Sequence, residues 1–180
     1  MTTLFPKLHH LPNDTKISSE LMQDALELGC IRTKLIRIKT IVLGHWLRAQ
    51  CQFGCTNYGK RLTCPPFTPM VDEVSELLTE YQNALLIEAE KPERVQEIVL
   101  MIEGNLRRKD YLKAFALGAM DCNLCQVCSV ESHCQYPKQA RPSMRAFGID
   151  IAATMVNNGW SAPTGPDFCQ KIPIGLVLID

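Results

Sequence analysis

Short apolar strands separated by amphipathic helices predict an α/β or α+β fold for this chain, a small mixed sheet flanked by helices. Three observations carry that expectation. In residues 34–39, Ile36 and Ile38 alternate with Arg37 and Lys39, the two-residue period of a strand covered on one face. Residues 84–89 and 174–179 are short, almost wholly apolar runs bounded by polar residues or the chain end, as buried strands are. Between them, residues 70–81 and the stretch after Pro92 space their apolar residues as helices do.

Taken in order, residues 1–17 read as an irregular start, with Pro6, Pro12 and Asn13-Asp14. Ser18 or Ser19 can cap a helix reaching Leu28, and Gly29 can end it, so residues 1–30 form a helical lead-in. Residues 40–50 are open between strand and turn. Residues 51–69 carry Gly54, Gly59, Pro65, Pro66 and Pro69, which predicts a loop without regular structure. The helix over 70–81 places Val71, Val74, Leu77, Leu78 and Tyr81 on one face. Pro92 suits the first turn of the next helix, which shows Val95, Ile98, Val99, Ile102 and Leu106 and can run to Leu117 with Gly118 as its stop. A second loop spans 122–137. Pro142 or Ser143 opens a short helix interrupted near Gly148, Asp150 caps a helix over 151–158, and Gly159 terminates it. Pro163, Gly165 and Pro166 mark a loop before the closing strand. No internal repeat is visible, and residues 1–180 are expected to form a single domain with two cysteine-rich loops at the rim of its sheet.

A chain of 180 residues, 46% hydrophobic and 21% charged, can build a core without help from cross-links. Nineteen basic and 19 acidic side chains cancel, so no long-range field for nucleic acid is expected. No apolar run approaches membrane-spanning length. The start of the chain lacks a charged segment followed by an apolar one, which points to a reducing cytosol, where clustered cysteines mean metal or redox chemistry more often than bridges.

Seven of the nine cysteines fall into two groups. Cys122, Cys125 and Cys128 follow one another at steps of three, with Cys134 and then Pro137 behind them. This run resembles the bacterial ferredoxin motif, in which one loop wraps a cubane, although the x5 gap before Cys134 exceeds the usual x3. Zinc prefers C-x2-C knuckles drawn from two separate hairpins. Here the third cysteine follows the second too closely to begin a second knuckle. The spacing therefore favours an iron–sulfur cluster over zinc, and zinc over thiols that hold nothing. Cys51, Cys55 and Cys64 supply three more thiols, with Gly54 and Gly59 able to bring backbone N–H groups towards sulfide. A fourth ligand can come from Cys30, Cys169, His45 or the other group; alternatively one iron stays open to substrate or water. In a third arrangement Cys64-Pro65 completes the site begun by Cys122, Cys125 and Cys128.

Residues 54–60 match the opening of a phosphate-binding P-loop, but Arg61 stands where the Ser or Thr hydroxyl belongs and Pro65-Pro66 blocks the helix that should follow. His133 reads as an exposed loop residue, and His45 beside Trp46 as partly buried structure. Arg107, Arg108, Lys109 and Lys113 read as a solvated helix face that can also guide an acidic redox partner. Cys30 and Cys169 read as small apolar filler. Arg141 and Ser143 can donate hydrogen bonds to cluster sulfur.

The segments Cys-Gln-Phe-Gly-Cys-Thr-Asn-Tyr-Gly-Lys at 51–60, Thr-Cys-Pro-Pro-Phe-Thr-Pro at 63–69, Ala-Leu-Leu-Ile-Glu at 84–88 and Ala-Arg-Pro-Ser-Met-Arg-Ala-Phe-Gly-Ile-Asp at 140–150 together resemble the uncharacterised predicted metal-binding proteins of anaerobic microbes. The resemblance runs from about Arg32 to Asp180. It implies metal binding through Cys51, Cys55, Cys64, Cys122, Cys125, Cys128 and Cys134, and supplies no reaction. Members often carry a further cysteine where this chain has Phe147, so that position holds no ligand here. The expectation is a cytosolic protein with one or two [4Fe–4S] clusters, serving electron transfer to a redox partner or as the cluster-bearing accessory of an enzyme. Two alternatives stand beside it: an enzyme whose three-cysteine cluster binds a small substrate at an open iron, and a zinc-stabilised interaction module. No nucleic acid or membrane partner is expected.

Overall fold

The computed structural model describes residues 15–162 and 172–180. Helix α1 (Thr15–Glu27) leads into strand β1 (Arg32–Arg37), a single 3-10 turn, and helices α2 (Trp46–Gly54) and α3 (Val71–Leu78). Strand β2 (Asn83–Glu88), helix α4 (Pro92–Arg108) and strand β3 (Phe115–Leu117) follow. After the second cysteine loop, a 3-10 turn at Arg145–Phe147 precedes helix α5 (Ile151–Asn157) and strand β4 (Ile174–Leu178).

The strands form one sheet in the order β1-β2-β4-β3. All three pairings are antiparallel, which narrows the expected mixed sheet to α+β with one strand direction alternating throughout. β4 lies between β2 and β3, pairing Leu85 with Val177 and Ala116 with Val177 on its two edges. Both faces of the sheet are covered, and this is why the inner strands are apolar without alternation. Leu85, Ile87 and Val177 face α1 and α4, packing on Leu21, Val95, Ile98, Val99 and Ile102. Ala84, Leu86, Leu176 and Leu178 face the opposite layer, made by Val74 and Leu78 of α3, Met144, Phe147 and Ile149, and Ile151 and Met155 of α5. Gly175 permits the close approach of α4: a Cβ there would stand 2.5 Å from Val95 Cγ1.

Several local expectations shift. α1 begins at Thr15, ahead of Ser18 and Ser19, while Gly29 with φ 101° ends the turn as expected. The α4 helix stops at Arg108, not Leu117, because Asp110 adopts the left-handed conformation and residues 115–117 turn into a strand. Residues 46–50 of the ambiguous stretch and the start of the first cysteine loop become α2, so Cys51 sits in a helix. Asp150 does cap α5, accepting a hydrogen bond from the Ala153 N–H at 2.9 Å. Cys169 and the expected loop at Pro163, Gly165 and Pro166 lie outside the described residues. Among the described residues no helix is long and apolar enough to cross a membrane.

Candidate metal centres

Two backbone bridges gather the cysteine segments at one end of the α3–α5 layer. Gly118, just past β3, pairs with Ser143: its N–H donates to Pro142 O at 2.9 Å, and Met144 N–H donates to Gly118 O at 3.0 Å. Leu43 pairs with Ile149, and Gly44 N–H donates to Gly148 O. The first bridge sets residues 119–122 beside 143–146; the second sets α2 against the same turn. Arg48 of α2 then donates to Thr68 Oγ1 at 2.8 Å, and that hydroxyl donates to Ala146 O at 2.8 Å.

Cys51, Cys55 and Cys64 line one cavity of about 260 Å³. Cys51 is in the last turn of α2 and Cys55 is its C-cap, so the helical repeat puts the two thiols on one side. Cys64 comes from a tight turn in which its own N–H donates to Arg61 O and Gly59 N–H donates to Pro65 O. The Gly59 N–H is thus committed to the loop and does not turn towards sulfide as expected. The remaining wall includes Asn57, Tyr58, Asp121, Ser143 and Arg145. Burial pushes the Cys64 thiol up to about 12, with Asp121, Cys55 and Cys51 adding to the shift. Burial also raises the Cys51 thiol, Cys55 adds to it, and Arg145 and Arg48 oppose it. These thiols stay protonated at neutral pH, so a cation entering the cavity must displace their protons.

Cys122, Cys125, Cys128 and Cys134 line a second, adjoining space with Arg61, Leu62 and Thr63. The space between these thiols is about 10 Å³, and most residues of the loop are exposed. Burial raises the Cys122 thiol; a bond from the Leu124 backbone opposes this, and Cys134, Cys125 and Cys128 add to it. The segment Arg61–Cys64 runs between the two spaces, with Cys64 lining the first and Arg61, Leu62 and Thr63 the second. Leu62 N–H donates to Cys128 Sγ at 3.4 Å, Arg61 Nη1 donates to Cys125 O at 3.2 Å, and Cys122 N–H donates to Thr63 Oγ1 at 3.4 Å. Cys64 lines the first cavity and Cys134 the second, so the two cysteine groups line separate spaces.

The residues fit an iron–sulfur group in donor chemistry: four thiols line one space and three the other, with backbone N–H at sulfur. The 260 Å³ cavity has room for roughly nine waters at about 30 Å³ each, far more than one ion requires. Among the described residues no three His, Cys, Asp or Glu side chains converge closely enough to hold a single metal ion.

Other candidates move away from the site. Cys30 is buried in the α1/α4 core, its thiol raised to about 11 by burial and partly opposed by Arg94. His45 is exposed rather than partly buried, with Nε2 3.5 Å from Asp72 Oδ1. His133 is exposed. Phe147 stacks on Phe115 in the core. Arg141 does not donate to a thiol. It forms a buried fork with Glu103, at 2.6 and 2.7 Å, and its Nη1 donates to Pro137 O and Ala140 O, which anchors the end of the second cysteine loop to α4. Ser143 Oγ accepts from Ala146 N–H on the wall of the first cavity. The basic helix end is exposed, as expected, and carries surface pairs: Arg107 with Glu103 and Ala114 O, Arg108 with Asn105, Lys109 with Asp24, and Lys113 with Glu80 O. Asp121, Asn57 and Arg145 went unnoticed in the sequence; the signal for Asp121 was its place directly before Cys122.

No curated protein and no solved structure matches the chain. A family model described as a predicted metal-binding protein, DUF2284, matches residues 34–179, a span that contains both cysteine groups and every strand after the first two residues of β1. By that match the chain belongs to the DUF2284 family of predicted metal-binding proteins.

Proposed function

We propose that this metal-binding protein carries [4Fe–4S] clusters, one held by Cys122, Cys125, Cys128 and Cys134 and a second by Cys51, Cys55 and Cys64, and that it passes electrons as a redox protein or as the accessory of a redox enzyme. The observation that carries the reading is the pair of thiol-lined spaces back to back across Arg61–Cys64. A cluster supplies one-electron chemistry when bound. The chain's part is to hold each site through its thiolates, to aim Leu62 N–H at Cys128 Sγ, and to bury Cys51 and Cys64 away from the surface. Two centres on either side of Arg61–Cys64 provide a short path from one loop to the other. The redox partner is proposed to be another protein.

Anaerobic purification followed by iron and acid-labile sulfide analysis tests the reading. Equal iron and sulfide, bleaching on reduction, supports it. A colourless protein without sulfide after reconstitution ends it, and zinc without sulfide favours the structural-module alternative. The presence of only three cysteines in the first cavity supports a second reading, in which a small substrate binds at that site. Perturbation of its spectrum by small anions distinguishes this from pure electron transfer.

A further inference from the structure

We infer that Asp121 is the fourth protein ligand of the three-cysteine centre. The inference rests on the iron–sulfur reading above and adds to it the ligand that the cysteine count leaves missing. The sequence offered Cys30, His45, Cys169 and the second cysteine group for this role. Cys30 lies in the α1/α4 core, His45 faces Asp72 on the surface, and Cys122, Cys125, Cys128 and Cys134 line the other space. Asp121 lines the cavity itself, beside the turn that carries Cys64.

Its carboxylate is already oriented. Oδ2 accepts from Asn57 Nδ2 at 2.9 Å and lies 3.4 Å from Arg61 Nε, without the angle of a hydrogen bond, while Oδ1 accepts no hydrogen bond among the described residues. One oxygen is therefore fixed and the other is available, the arrangement in which a partner outside the coordination shell aims a carboxylate at a metal. The other polar groups on the wall are less suited. Ser143 Oγ is engaged with Ala146 N–H, Arg145 is a cation, and the Tyr58 phenol ligates only after losing its proton. A carboxylate is a harder ligand than thiolate, so one iron of this centre becomes distinct and more easily lost than the other three.

The test uses the full, anaerobically reconstituted chain. Mössbauer spectra and iron release are compared for wild type, Asp121→Ala, Asp121→Cys, Asn57→Ala and Cys169→Ser. Mild ferricyanide oxidation takes one electron and releases one Fe²⁺ from the [4Fe–4S]²⁺ centre, leaving [3Fe–4S]⁺. In the wild type one cluster per chain is expected to convert. Asp121→Cys is expected to abolish the distinct iron and suppress conversion. Asn57→Ala, which frees the carboxylate, is expected to speed iron release by about 10–100-fold. Asp121→Ala spectra and release indistinguishable from wild type, or a loss of the distinct iron in Cys169→Ser alone, would overturn the assignment while leaving the clusters in place. Absence of sulfide from the wild type takes down both this inference and the reading beneath it.

Discussion

Replacing Arg141 by Met is expected to destabilise the protein by about 3 kcal/mol. The Arg141 side chain is 10% exposed and Glu103 is 2% exposed, so their fork is desolvated on both sides. Removing one partner of such a pair typically costs about 3–5 kcal/mol, because the other charge is left buried. Arg107 remains 3.1 Å from Glu103 Oε1 and Ala116 N–H still donates to Glu103 Oε2 at 2.8 Å, which places the expected loss at the lower end. For a chain of this size that corresponds to a fall in Tm of roughly 6–12 °C. Arg141 also binds Pro137 O and Ala140 O, so the second cysteine loop loses its anchor and is expected to bind metal more weakly than the first. The assay is chemical and thermal denaturation of the metal-free, reduced protein, which removes metal linkage from the measurement. A second variant, Arg141→Met with Glu103→Leu, is expected to recover part of the loss, since an apolar pair replaces the unpaired charge. The reasoning fails if Arg141→Met alone lies within about 1 kcal/mol of wild type, or if the double variant is worse than the single one by a further similar amount.

Alkali is expected to weaken the metal-free fold. Burial holds Cys64 at about 12 and Cys30 at about 11, above the ordinary thiol value, so between roughly pH 9 and pH 12 the folded state keeps protons that the unfolded state has lost and stability falls as pH rises. Denaturation midpoints that stay level across that window contradict this. Gly175→Ala is expected to cost about 1–3 kcal/mol, since its Cβ would press on Val95 Cγ1 at 2.5 Å, Val99 Cγ1 at 2.8 Å and Leu117 O at 3.1 Å; a wild-type urea midpoint for the variant would refute the packing of α4 on β4. Cys51→Ser with Cys55→Ser is expected to remove the iron of one centre and leave the signal of the other, and Cys125→Ser with Cys128→Ser to do the reverse. Loss of both signals from either pair would mean a single shared centre.

The division of the site into two thiol sets was legible because the ligand spacing is local: steps of three in Cys122, Cys125 and Cys128 bend one loop around one point. The walls were not, because Asp121 and Arg145 reach the first cavity only after Gly118 pairs with Ser143, a contact between segments that are distant in sequence. Helix α2 was missed for lack of a start signal. Its N-cap is His45, which makes no side-chain capping bond, and the glycines and prolines beyond Cys51 suggested a loop; only the four-residue interval between buried Leu47 and Cys51 hinted at the helix. Strand β3 is three residues long, and its apolar residues continue the pattern of α4, so periodicity could not separate them. Sheet direction depended on β4 entering between β2 and β3, and no local pattern encodes that choice.

The central claim is that these sulfur atoms enclose iron. Anomalous diffraction at the iron edge, from a crystal grown and kept without oxygen, tests it most directly. The account predicts compact multi-iron peaks on both sides of Arg61–Cys64, each within bonding distance of its own cysteines. A lone zinc peak at either place, or no metal peak beside Cys122, Cys125 and Cys128, would contradict it.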